Sequence, residues 1–111
     1  MAQITYDQFL AVDIRVGRIV SADTFPKARK PAYKLRIDFG ELGVKTSSAQ
    51  ITKYYAATDL VGRLVLAVTN FPPRRVADFD SEVLTLGVML SEGDVVLVHP
   101  EREVAPGSRI L

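Results

Sequence analysis

Few residues in this chain could do covalent chemistry. It has one histidine, His99, and no cysteine. A thiolate nucleophile, a Cys-type zinc site and a multi-His metal site are therefore excluded. His99 precedes Pro100 at the end of an apolar run, with no serine and carboxylate at recognisable triad spacing. Ser47 and Ser48 lie in a strand pattern and lack the sharp Gly-x-Ser-x-Gly turn that exposes a hydrolase serine. No glycine-rich loop follows a strand to cradle a phosphate. Asp78, Asp80 and Glu82 are the only cluster of acids, and they read as a solvated loop before they read as a cation site. The expectation is a protein that binds rather than catalyses, with no cofactor and no metal.

Residues suited to binding are more concentrated. Asn70, the only asparagine, stands where an apolar run meets Phe71-Pro72-Pro73. Its amide offers a donor and an acceptor, to a ligand or to the turn itself. Phe71 beside two prolines makes a rigid wall for a base or an apolar side chain, unless it packs in the core. Arg74 and Arg75 follow, and guanidinium groups suit phosphates or peptide carboxylates. Ser48 and Gln50 share one face of a strand and can offer hydrogen bonds. Lys27, Arg29, Lys30, Lys34 and Arg36 form the densest basic stretch, with Tyr33 among them. Tyr33 falls in the apolar phase of its strand, so it is expected inside rather than on a stacking platform.

The elements that must position these residues are short. Thr5-Tyr6-Asp7-Gln8 is a capping box for a small helix, which Phe9, Leu10 and Val12 would dock on the body. Residues 13–23 alternate as a strand, and a phase shift after Gly17 suggests a bulge there. Tyr33, Leu35, Ile37 and Phe39 alternate with Lys34, Arg36 and Asp38, the cleanest strand in the chain. A turn at residues 40–43 leads to a partner strand over 44–51. Residues 52–61 suit a short helical connection that stops at Gly62. Residues 63–70 read as a buried strand, ended by the prolines. Residues 83–90 and 94–98 read as two more strands. About five strands with a helix between the third and fourth is the order of an OB-fold, a small Greek-key barrel. An SH3-like barrel or a generic sandwich has a similar strand content. The whole chain, 1–111, reads as one domain with residues 1–12 as a helical extension.

The 111 residues carry 14 Lys and Arg against 13 Asp and Glu, and 48% are hydrophobic. That composition belongs to a folded globule and excludes a disordered chain or a disulfide scaffold. The total of +1 hides a split. Twelve basic residues and four acids fall between Arg15 and Arg75, and two basic residues and seven acids follow. A basic face that meets nucleic acid is one reading of the split, and pairing of the two halves on folding is the other. No apolar run reaches the length of a membrane span, and no basic stretch leads into an apolar core at the N-terminus. A cytoplasmic chain without membrane insertion is the simplest expectation.

Several segments carry a resemblance. They are Asp13-Ile14-Arg15-Val16-Gly17-Arg18-Ile19-Val20, Pro31-Ala32-Tyr33-Lys34-Leu35, Ile37-Asp38-Phe39-Gly40, Ser47-Ser48-Ala49-Gln50-Ile51-Thr52, Asn70-Phe71-Pro72-Pro73, Ser81-Glu82-Val83-Leu84 with Leu86-Gly87, and Pro106-Gly107. Together they resemble the tRNA-binding-domain superfamily over essentially the whole chain, and within it the CsaA-type secretion chaperones. The resemblance implies an all-β, five-stranded OB-fold subunit in a symmetric homodimer. It implies binding of unfolded preproteins or peptides and cooperation with the translocation motor of bacterial export, with tRNA as the alternative partner. The candidate pocket then adds Ser81, Glu82, Val83 and Leu84 to Ser48, Gln50, Asn70, Phe71, Arg74 and Arg75. The tRNA-binding relatives usually carry Ser-Gly-Ile where this chain has Ser48-Ala49-Gln50-Ile51, and a Gly-Met pair where it has Val83-Leu84. Bulkier apolar residues in place of glycine favour a peptide side chain over a phosphate.

Overall fold

The alternation in residues 33–39 builds a strand with one wet and one dry face, beside the central strand of the fold. The computed structural model describes residues 1–111. A five-residue helix, α1 (Tyr6–Leu10), leads into a long strand, β1 (Ile14–Thr24). β2 (Tyr33–Asp38) follows and turns Tyr33, Leu35 and Ile37 inward, with Phe39 buried just beyond its end. A 3-10 turn at Gly40–Leu42 reverses the chain into β3 (Val44–Ala49). A short helix, α2 (Ala57–Leu60), places the fully buried Leu60 against the core before β4 (Leu64–Val68) returns to the free side of β1. Three meandering strands with the fourth beside the first make a Greek key. Next come a small hairpin, β5 (Arg74–Val76) with β6 (Phe79–Ser81), and a short strand, β7 (Leu84–Thr85), beside β4. The sheet order β3-β2-β1-β4-β7 curls into a nearly closed five-stranded antiparallel barrel of the OB type.

The bulge in β1 is not at Gly17. Its register with β2 breaks between Ile19 and Ser21, leaving Val20 as the extra residue. That extra residue lets Ile19 and Ala22, three apart, both pack on the core. Gly17 serves a different need. A Cβ at this position would lie 2.5 Å from Ile37 Cγ2 and 2.6 Å from Phe39 Cε1. Only a bare backbone lets the Phe39 ring lie against β1.

The expected strand over 83–90 is two strands. Leu86 is where the chain changes partner, its amide still donating to Leu66 O at 2.8 Å. Beyond it β8 (Gly87–Met89) leaves β4 and pairs with β9 (Val95–Leu97) as a separate hairpin. The β5–β6 hairpin was not expected from the sequence. Its turn puts Ala77 at φ 52°, a conformation that alanine rarely advertises.

The N-terminal helix forms with its capping box intact, Gln8 N donating to Thr5 Oγ1 at 3.1 Å and Thr5 N to Gln8 Oε1 at 2.8 Å. Apolar docking is slight, since none of its residues is fully buried, Phe9 is half-buried, and Leu10 and Val12 are exposed. Polar groups tie it down. Asn70 Nδ2 donates to Ala11 O at 2.7 Å, and Arg109 donates to Leu10 O at 2.7 Å. The C-terminal segment joins the same end of the barrel. Gly107 N donates to Val16 O at 2.7 Å, Val16 N to Ser108 O at 2.9 Å, and Ile110 N to Ile14 O at 2.9 Å.

Asp13 is the hub of this end. Its carboxylate accepts from Arg15 Nε at 2.8 Å and Thr69 Oγ1 at 3.0 Å, with Arg109 Nε at 3.4 Å. Burial pushes its pKa up, but the bonds from Arg15 and Thr69 and the charges of Arg15 and Arg109 outweigh it, so the carboxyl sits below its ordinary 3.8. A native carboxyl held low stabilises the fold above its unfolded pKa, and that contribution is lost as pH falls through the native value. Asp13→Asn is therefore expected to lose about 1–2 kcal/mol near neutral pH. Urea melts should show the gap to wild type closing only below about pH 4. A gap that stays constant into acid would refute the role of the charge.

Candidate functional site

The barrel is closed on one side by polar clasps rather than a full ladder. Thr46 is the centre of this seam. Its carbonyl accepts from Glu82 N at 2.9 Å and Val83 N at 3.1 Å. Its own amide and hydroxyl donate to Glu82 Oε1 at 3.0 and 2.9 Å. Nearby, Ser48 N donates to Ser81 Oγ at 2.9 Å, and Thr85 Oγ1 donates to Ser47 Oγ at 2.8 Å. These bonds bring the segment 81–85 against β3 and set up two adjoining clefts.

The smaller cleft has a volume of about 480 Å³. Phe71, Pro72 and Pro73 form one wall, and Ser48, Ser81, Glu82, Val83 and Leu84 the other, with Arg74 at its mouth. Phe71, 54% exposed, and Leu84, 47% exposed, open to solvent there together with Pro72 and Pro73. Val83 faces inward and belongs to the core. Ser81 and Glu82 are engaged in the seam, so the cleft's free surface is largely apolar.

The wider cleft, about 1210 Å³, runs from the basic loop at residues 27–30 to the β5–β6 hairpin. Lys27, Arg29, Lys30, Arg74 and Arg75 rim it, Gln50 stands inside it, and Met89, Val95 and Leu97 supply an apolar floor. Ser48, Arg74 and Leu84 line both clefts, so the two are one continuous groove.

The rim cations are not equivalent. Lys27 Nζ lies 2.9 Å from Asp78 Oδ2, and Arg75 lies 2.9 Å from Asp80 Oδ1. The hydrogen bond to Asp78 raises the pKa of Lys27, and the same bond lowers that of Asp78. Both pairs are in solvent, where such contacts are worth little. Arg29, Lys30 and Arg74 form no ion pair. The three acids at 78, 80 and 82 are thus drawn apart, to Lys27, Arg75 and Thr46.

Of the residues singled out in the sequence, the groove gathers Ser48, Gln50, Phe71, Arg74, Arg75 and 81–84 with Lys27, Arg29 and Lys30. It does not gather Asn70, whose Oδ1 accepts from Asp13 N at 3.0 Å while its amide nitrogen holds Ala11. Lys34 points to an aromatic pair instead, 5.4 Å from the Phe25 ring and 6.0 Å from that of Phe79. Arg36 is exposed on β2 and lines neither cleft. Tyr33 is buried, its hydroxyl donating to Tyr55 O at 2.7 Å. The floor residues Met89 and Val95 were missed in the sequence. Reading 83–90 as one strand hid the break that lets β8 and β9 swing under the groove.

Barrel, seam and basic-rimmed groove define a class, and the family comparison agrees. The model of the putative tRNA binding domain matches residues 14–109, and the chain belongs to that family. Among solved structures the chain is similar to CsaA chaperones. That of Bacillus anthracis is 52% identical, with a TM-score of 0.95, covering 99% of this chain and all of the other. That of Picrophilus torridus is 47% identical, with a TM-score of 0.91, covering 98% of this chain and all of the other. Among curated sequences, the methionine–tRNA ligase of Porphyromonas gingivalis is 39% identical over 107 residues, 96% of this chain. The chain spans only 15% of that ligase. No helix of the chain is long and apolar enough to cross a membrane.

Proposed function

We propose that this chain is a non-enzymatic chaperone subunit that holds extended, apolar-rich segments of unfolded preproteins for bacterial export. The observation that carries this reading is the smaller cleft, where Phe71 and Leu84 present apolar surface to solvent beside two rigid prolines. Side chains entering it gain roughly 25 cal/mol per Å² of apolar area removed from water. Ser48 and Gln50 offer side-chain hydrogen-bonding groups that can orient a peptide backbone. The likeness to CsaA chaperones supports the same reading.

In this reading the chain works in the cytoplasm as a homodimer and hands its client to the translocation motor. Exposed apolar side chains at Ile4, Tyr6 and Val88 favour a second copy. Two grooves on one long client add avidity. Sedimentation should give twice the chain mass, and a monomer would count against the dimer.

The functional test is dilution of a denatured export precursor into buffer with and without the protein. Suppressed light scattering and binding of labelled precursor peptides are expected. Unchanged aggregation together with no peptide binding would sink the proposal.

A second reading, tRNA binding, is favoured by the unpaired Arg29, Lys30 and Arg74 on the rim and by the family. Contacts to phosphates release counterions, so log affinity falls linearly with log salt. A salt titration with labelled tRNA and labelled peptide separates the two. A steep slope for tRNA with tight binding at physiological salt would favour the second reading.

A further inference from the structure

We propose that the client segments this groove prefers carry an acidic residue within a few positions of the apolar one. The inference rests on the peptide-holding reading and names the class of peptide it takes. Arg74 belongs to both clefts, so the apolar seat and the cationic rim are neighbours. An extended peptide advances about 3.3 Å per residue, and every second side chain points to the same side. A side chain lodged against Phe71 and Leu84 therefore places its near neighbours beside Arg74.

The charged residues that line the wider cleft are all cations. The carboxylates of the neighbouring hairpin, Asp78 and Asp80, already neutralise Lys27 and Arg75. They leave Arg74, Arg29 and Lys30 without partners. Glu82, the remaining acid of the groove, keeps its charge but is held in the seam by the Thr46 amide and lines the smaller cleft rather than the cationic rim. A peptide carboxylate finds unoccupied donors on this rim, and a peptide lysine faces an excess of positive charge. Guanidinium groups accept carboxylates in bidentate geometry, which adds orientation to attraction. Segments with basic flanks are disfavoured by the same charges.

The test uses labelled peptides of about ten residues with a central Leu-Phe pair flanked by two Asp, two Asn or two Lys. Fluorescence anisotropy against the intact protein is expected to rank them Asp, Asn, Lys, with about five-fold in affinity between the first two. In an Arg74→Gln, Lys30→Gln double variant the Asp and Asn peptides should come within two-fold. Arg36→Gln, on the surface away from the groove, should leave the ranking intact. Equal affinities, or a preference for the Lys peptide, would overturn this proposal and leave peptide holding standing. Failure of all three peptides to bind would remove both. If a single-stranded oligonucleotide binds more tightly than the Asp peptide and is weakened by the same double variant, the rim belongs to nucleic acid and the proposal falls.

Discussion

Gly17→Ala is expected to destabilise the fold by about 2–3 kcal/mol, the upper part of the range for overpacking a core. The added methyl would lie 2.5 Å from Ile37 Cγ2 and 2.6 and 2.9 Å from two atoms of the Phe39 ring. Ile37 and Phe39 are fully buried, so neither side chain can swing into solvent to relieve the contact. Closely packed interiors transmit such strain to the backbone. β1 holds both β2 and β4 in register, so the strain reaches the centre of the sheet. The mechanism makes a second, sharper demand. Phe39→Leu removes the ring atom nearest the new methyl, so the double variant should lose less than the sum of the two single losses. Urea denaturation of the four proteins gives the coupling directly. Additive losses would show that Gly17 matters for some other reason.

If the proposed peptide holding is right, Phe71→Ala should weaken peptide binding by about thirty-fold, equivalent to about 2 kcal/mol. Phe71 is 54% exposed, which leaves a large aromatic face for a ligand to cover. An aromatic wall stiffened by Pro72 and Pro73 is already ordered before binding, so little entropy is lost when a ligand arrives. The same exposure predicts almost no loss of fold stability, because truncation at the surface opens no internal cavity. Anisotropy with a labelled precursor peptide reads the first effect, and thermal melting reads the second. Affinity within two-fold of wild type would remove Phe71 from the binding surface.

Strict alternation made some of this fold legible. Residues 33–39 and their partner 44–49 were readable because β2 has one wet face and one dry face, and period two has no other interpretation. The capping box at Thr5 and Gln8 was equally plain, being a contact three residues apart. What escaped detection depends on distant partners. Val20 is extra only because β2 fixes the register on each side of it. Leu86 ends a strand because its amide still donates to Leu66 while its carbonyl already accepts from Val98. The turn at Ala77 lacks the Asn-Gly or Asp-Gly signal that its geometry favours.

The groove divides the same way. Phe71, Arg74 and residues 81–84 meet there because the chain turns at Pro72-Pro73 and again after β6. Asn70 looked like a ligand donor by chemistry alone. Its partners, Ala11 and Asp13, lie more than fifty residues away in sequence, beyond the reach of local pattern.

The seam at Thr46 has a consequence for the range of clients. Most of the sheet is laced by regular ladders between β1, β2, β3 and β4. The line where segment 81–85 meets β3 hangs on a handful of bonds, several from flexible side chains. Openings of lowest cost in a protein follow such lines, and they leave better-laced regions intact. Here that line is also a wall of the smaller cleft. An opening along that edge would widen the smaller cleft while the rest of the sheet keeps its shape. Under the proposed peptide holding, that give would let one cleft take unrelated sequences, and amide exchange at Ser48, Glu82 and Val83 faster than at Leu35 or Val65 would be its signature.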